Sequence, residues 1–208
     1  MKDRKGIMAI LSGFSGVGKG TIVGELVERY GYMISISATT RAPRDGEKEG
    51  VNYFFKTMEE FEQMIEREEL IEYARYVDNY YGTPKEYVLE QLEEGRDVLL
   101  EIEMQGALKI KERFPEVALI FIVPPNVSDL KKRLIKRGTE NEEMIRTRIA
   151  RSKEECQYLT QYDYIVVNDD LEECIEEIHG ILEAVHDTRE NQRGHIEKIK
   201  EEFETFHI

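Results

Sequence analysis

The sequence predicts an α/β fold in which a parallel core sheet is covered by helices on both faces, a three-layer sandwich. Three observations carry this. Apolar runs rich in β-branched residues recur at 7–12, 33–37, 98–102, 117–123 and 164–167, with helical periodicity between them. None of these runs alternates cleanly between apolar and polar residues, as expected of strands buried on both faces. The helices between them carry start and stop signals. Thr57 and Glu60 form a capping-box pattern before the stripe Phe61, Met64 and Ile65. Thr83-Pro84 reads as an N-cap with proline at the first helical position, and Gly95 closes that helix. Ser128 opens a helix after Pro124-Pro125, Gly138 stops it, and Asn141 opens a long polar helix.

At 208 residues, with 40% hydrophobic and 35% charged residues, the chain has apolar mass for one substantial core. Residues 39–94 differ in texture, being tyrosine-rich with short strand-like runs, and read as an inserted lobe because no linker bounds them. The charged tail, 186–208, places Ile196, Ile199, Phe203 and Phe206 at helical spacing. It reads as a helix packed on its own body, with a dimer contact as the alternative; a monomer or a homodimer is expected.

No apolar run approaches the roughly 20 residues that cross a bilayer, so no membrane partner is expected. The short run 7–11 leads into glycines rather than a cleavage site and reads as a strand. Cys156 and Cys174 lack any metal-binding or framework spacing and read as reduced core thiols, which implies the cytoplasm. A net charge of −14 argues against nucleic acid as a partner. The cations are nevertheless concentrated: Lys131, Lys132, Arg133, Lys136, Arg137, Arg146, Arg148, Arg151 and Lys153 crowd one stretch, which suits a small phosphorylated ligand.

The strongest local motif is Gly13-Phe14-Ser15-Gly16-Val17-Gly18-Lys19-Gly20-Thr21, between a strand and an amphipathic helix. Its spacing is that of a phosphate-binding P-loop. Glycines let successive backbone N–H groups turn inward around a phosphate, and the helix that follows adds its positive end. Lys19 supplies a mobile point charge. The position after the lysine is Gly20, not Ser or Thr, so a hydroxyl ligand for a metal is displaced to Thr21 or absent. A second cluster follows the second strand: Ser37-Ala38-Thr39-Thr40-Arg41-Ala42-Pro43-Arg44, with Tyr53 beyond. Two arginines three apart read either as a solvated basic loop or as a grip on a second phosphate, for which the guanidinium fork is suited.

These two motifs, with Ile71-Glu72-Tyr73, Asn79-Tyr80-Tyr81-Gly82-Thr83, Leu100 to Gly106, Arg137-Gly138-Thr139 and Val167 to Leu171 in the same order, resemble the guanylate kinase family over about residues 6–185. The resemblance implies a P-loop NTPase-type core (about 1–38 and 95–185), a GMP-binding lobe (about 39–94), a helical lid (about 133–155) and transfer of the ATP γ-phosphoryl group to GMP, with Mg²⁺ accompanying ATP. It implies ATP contacts from Ser15, Gly16, Val17, Gly18, Lys19, Gly20, Thr21, Arg133, Arg137 and Asn168. It implies GMP contacts from Ser37, Arg41, Arg44, Tyr53, Glu72, Tyr81, Thr83 and Glu103, and catalytic cations at Lys19, Arg41, Arg137 and Arg148, with Arg146 solvated. Positions 101 and 103 are Glu where family members often have Asp.

The residues support a guanine acceptor on their own. Guanine presents N1–H and N2–H₂ as neighbouring donors, and a carboxylate is an acceptor able to take both. Adenine lacks that pair. Glu72 and Glu103 are therefore candidate base readers; an ordinary water-facing strand carboxylate is the alternative, fair for Glu103 and weak for Glu101. The histidines, His179, His186, His195 and His207, all fall late and read as surface residues. Two rivals remain at this level: the same fold with another acceptor, and a guanylate-kinase-like binding module without catalysis, against which the intact loop with Lys19 stands.

Overall fold

A computed structural model describes residues 5–76, 78–136 and 142–206. Its main sheet has five strands, β1 (Met8–Gly13), β2 (Met33–Ile34), β7 (Val98–Glu101), β8 (Ala118–Val123) and β9 (Tyr164–Val167), in the order β2-β7-β1-β8-β9. Every pairing in it is parallel. Successive residues of a strand point to opposite faces. Ile10 and Leu11, Leu99 and Leu100, and Leu119 through Ile122 are all essentially without solvent exposure, so both faces are covered. Helices α1 (Lys19–Tyr30) and α7 (Leu171–His186) pack on each other and on the strands, and α3 (Lys85–Glu93) and α4 (Met104–Arg113) also lie against the sheet.

A second sheet, β4-β3-β6-β5, is built from β3 (Ala38–Thr39), β4 (Phe54–Phe55), β5 (Leu70–Tyr76) and β6 (Asn79–Pro84). Here β3–β4 is parallel while β3–β6 and β5–β6 are antiparallel. It has its own small apolar cluster, in which Ala38, Leu70 and Phe61 of α2 (Met58–Glu66) are buried. The capping box at the start of α2 forms as the sequence predicts, with Thr57 and Glu60 exchanging bonds.

Several local expectations are corrected. The second strand does not run through 33–37: Ser35 still donates to Leu99 O at 3.0 Å, but Ser37 O already accepts from Phe54 N at 2.9 Å. The chain thus leaves one sheet and joins the other across Ile36, where serines replace the two-sided apolar pattern. Thr83 is not an N-cap but part of β6; Pro84 holds the cap position of α3, and the Thr83 hydroxyl is committed to Glu72. Helix α5 (Val127–Lys136) starts before Ser128, because Asn126 Oδ1 accepts the Asp129 amide at 2.9 Å. Cys156 is exposed on a 3₁₀ turn (Cys156–Gln161), whereas Cys174 is buried and its thiol is pushed up to about 11 by that burial. His186 is not a surface residue. It is 3% exposed, with Nε2 3.0 Å from Asp97 Oδ2, while Asp97 Oδ1 accepts the Ile7 amide, which ties the end of α7 to the start of β1. His179 is half-buried, stacked on Tyr30 and bonded to the Tyr32 hydroxyl. His207, Gly138 and Asn141 lie outside the described residues. Helix α8 (Arg193–Thr205) forms in the tail, but Ile199, Phe203 and Phe206 stay exposed rather than packing on the body. No helix among the described residues is long and apolar enough to cross a membrane.

Candidate active site

The loop between β1 and α1 lies at the carboxyl ends of the parallel strands, where open α/β sheets bind ligands. Gly16 and Gly18 have φ of 87° and 104°, a region closed to most side chains. Space is tight as well: a Cβ on Gly16 would sit 2.6 Å from Leu134 Cδ2, and one on Gly18 2.9 Å from Asn168 Nδ2, so either neighbour would have to shift. Lys19, the first residue of α1, folds back so that Nζ donates to Gly13 O at 2.8 Å. Gly20 and Thr21 are exposed in the first turn of α1.

Two side chains brace this loop from outside it. Arg133 on α5 donates to Val17 O at 3.2 Å and to Asn168 O at 2.7 Å, and Asn168 Nδ2 donates to Val17 O at 2.8 Å. Helix α6 (Glu142–Glu155) brings Arg148 to the loop, where Nη1 donates to Ser15 Oγ. Arg146 points away and pairs with Glu142 in solvent. Arg137 lies outside the described residues.

On the second sheet, Arg41 sits 5.3 Å from the Tyr53 ring centre, and Tyr53 meets Tyr81 edge to face at 6.2 Å. Glu47 orients this group. Its Oε1 pairs with Arg41 Nη2 at 2.9 Å and its Oε2 accepts the Arg44 amide at 2.7 Å. That amide bond, with the Arg41 guanidinium, holds the Glu47 carboxyl below its usual range. The Arg44 side chain is exposed beside it. Burial raises the Tyr53 hydroxyl above its ordinary pKa, so it stays a neutral donor.

Glu72 of β5 is 9% exposed, and its Oε1 accepts from Thr83 Oγ1 at 2.9 Å. Burial raises its carboxyl above the ordinary range, against which the Thr83 hydroxyl and Lys109 act. Its Oε2 lies over the first turn of α4, so close that a Cβ on Gly106 would be 2.8 Å away. Glu103 is the N-cap residue of the same helix, so both residues stand at its positive end, although the Glu103 side chain makes no cap hydrogen bond. The Glu103 side chain is 72% exposed and pairs with Arg151 at 2.5 Å. Ser37 precedes Ala38, which pairs with Gly82, the neighbour of Thr83; these strand ends therefore converge. Glu101, expected to avoid water, is instead exposed where β7 ends beside Leu11.

Sequence reasoning did not single out Gly106, Gly82 or Glu47. A Cβ on Gly82 would meet Glu72 O at 2.8 Å. Gly106 interrupts a good helical pattern, and that interruption was the available signal for a close approach. Glu47 gives no pattern of its own; only the turn from Arg44 to Glu47 brings it under Arg41.

Fold and site together define a P-loop phosphotransferase with a second, arginine- and carboxylate-bearing site facing the loop's end of the sheet. A family model described as "Guanylate kinase" matches residues 5–185. Similar curated proteins include guanylate kinases of Halalkalibacterium halodurans (52% identical, covering 91% of this chain and 94% of the relative) and Caldanaerobacter subterraneus subsp. tengcongensis (50%, covering 96% and 97%). Among solved structures, a crystal structure of guanylate kinase from Anaplasma phagocytophilum is 36% identical, covers 88% of each chain and gives a TM-score of 0.68. The chain belongs to the guanylate kinase family. It is thereby a nucleoside-monophosphate kinase, a transferase acting on GMP with ATP, in a family that generally uses a divalent metal.

Proposed function

We propose that the chain transfers the γ-phosphoryl group of ATP to GMP, giving ADP and GDP, with the two nucleotides bound tail to tail. The observation that carries the acceptor assignment is the buried Glu72 carboxylate, held by Thr83 at the positive end of α4 beside Glu103. A buried carboxylate of this kind wants paired donors, and guanine's N1–H and N2–H₂ supply them. Ser37 and Thr83 complete the base site. Arg41, Arg44, Tyr53 and Tyr81 hold the GMP phosphate, with Glu47 fixing Arg41 before it arrives.

The donor site is the P-loop. Its amides, from Ser15 through Thr21, surround the β-phosphate, and Lys19 leaves Gly13 O for the β/γ oxygens. Arg133 and Asn168 fix the Val17 peptide and so the loop's curvature, with Asn168 also beside the adenine. Arg148, with Arg137, neutralises the transferring group. A GMP phosphate oxygen is already anionic, so no general base is required. The protein's work is alignment and charge neutralisation. Gly20 leaves the loop without the hydroxyl usual after the lysine, so magnesium would be held mainly by the phosphates and water, with Glu101, exposed opposite Leu11 where β7 ends, as the carboxylate that would hold its water. When bound, the ion offsets charge on the β- and γ-phosphates.

In this reading residues about 39–94 form the GMP lobe and about 133–155 the lid, and both close on substrate to exclude water. The enzyme works in the cytoplasm, without nucleic acid or membrane partners, as a monomer or homodimer. Turnover measured side by side with GMP, AMP, UMP and dTMP tests the acceptor. GMP is expected to exceed the others by 10³-fold or more, on the order set by unpaired buried acceptors. Comparable rates with AMP would defeat the guanine assignment.

A further inference from the structure

Arg148, Arg151 and Glu155 form one stripe along α6, at spacings of three and four, so they share a helix face. The two ends of this face touch different sites. Arg148 reaches Ser15 in the phosphate loop. Arg151 reaches Glu103 at the start of α4, Nη2 to Oε2 at 2.5 Å, and its Nε also lies 3.2 Å from Glu155 Oε1. The Glu155 side chain is 17% exposed against 40% for Arg151 and 72% for Glu103. Burial pushes the Glu155 carboxyl above its usual range, while Arg151 and Lys19 pull it the other way. Charges therefore alternate from the loop lysine through Glu155 and Arg151 to Glu103.

We infer that Arg151 is a positioning residue for the acceptor base, holding Glu103 oriented from the same helix face that carries Arg148 to the donor site. The inference rests on the reading of Glu103 as a guanine acceptor. Glu103 sits on an exposed N-cap, where its side chain has freedom that the buried Glu72 lacks. A carboxylate has two oxygens, so a guanidinium on Oε2 leaves Oε1 for a base donor. A guanidinium between two carboxylates is also anchored, since Glu155 is the more buried partner and does not swing away. In this arrangement Arg151 acts on the base through Glu103. Its effect belongs in GMP affinity, not in the chemical step.

A double-mutant cycle on the full chain tests this, with Glu103→Gln, Arg151→Met and the pair together, at saturating ATP·Mg²⁺. Arg151→Met should raise KM for GMP about three- to fivefold, as befits a partly exposed ion pair, and leave kcat and KM for ATP within about twofold. Arg151→Lys should recover most of the loss. In the Glu103→Gln background, Arg151→Met should add nothing. Raising the salt should shrink the Arg151→Met effect, because the pair is screened. A thermal melt of each variant separates these readouts from unfolding. If Glu103→Gln raises KM for GMP and Arg151→Met does not, or if the two effects simply add, the positioning role is overturned. If Glu103→Gln itself leaves KM for GMP unchanged, the base-reading assignment of Glu103 fails, and the inference with it.

Discussion

Replacing Gly106 by alanine sets two physical effects against each other, and a melt and a steady-state assay see them separately. Gly106 lies in the first turn of α4, and alanine is the better helix former by about 1 kcal/mol. If the glycine served only the helix, Gly106→Ala would be silent or stabilising. Its new Cβ, however, would stand 2.8 Å from Glu72 Oε2 and 3.3 Å from Glu72 Cδ, where ordinary contact begins at 3.4 Å. The carboxylate oxygen must give way by about 0.6 Å, the gap between its 2.8 Å and the 3.4 Å of ordinary contact. It is the end of a side chain, so the steric cost is small, but it cannot move freely because Thr83 holds Oε1. A displacement of about 1 Å costs on the order of 10² in a well-aligned site, so half of that should cost about tenfold. Steady-state ADP formation with GMP varied at saturating ATP should show KM for GMP raised about tenfold, KM for ATP unchanged, and a melting temperature equal to or above wild type. In a Glu72→Gln background the alanine should add little. A Gly106→Ala enzyme with wild-type KM for GMP would refute the placement of the base over α4.

Three further outcomes follow from the same geometry. Glu72→Gln should raise KM for GMP tenfold or more, yet it should not lower the melting temperature at pH 7, because it removes the burial cost of an ionised carboxylate while Thr83 keeps an acceptor. Since burial raises the Glu72 pKa in the folded state, the wild type sheds that cost as pH falls through this raised value towards the ordinary 4.5; pH-dependent melts should show the two proteins converging there. Lys19→Ala should reduce kcat by about 10³ or more while calorimetric GMP binding persists. Arg148→Ala should likewise cost on the order of 10³ in kcat and change KM for GMP only a few-fold, which single-turnover kinetics can separate.

The core was legible in the sequence because its physics is periodic. Strands buried on both faces read as unbroken apolar runs, and Phe61 or Ile22 fall where helical spacing puts them. The loop from Gly13 to Thr21 was legible because only glycine tolerates the backbone at Gly16 and Gly18. The crossing at Ile36 was not, since an apolar residue between two serines does not say which sheet accepts its neighbours. Nor was the commitment of Thr83: a Thr-Pro pair is a sound cap signal, and only the pairing of β5 with β6 reveals that the hydroxyl belongs to Glu72. His186 defeated the expectation of a surface imidazole for the same reason, its partner Asp97 lying 89 residues away. Contacts of that separation leave no local trace.

The most direct test of the account is a product balance. Purified protein, given ATP, Mg²⁺ and GMP, should convert them to ADP and GDP in equal amounts by phosphorus NMR, with inorganic phosphate staying at background because the closed site excludes water. Phosphate released in place of GDP, or GMP bound while ATP persists, would contradict it.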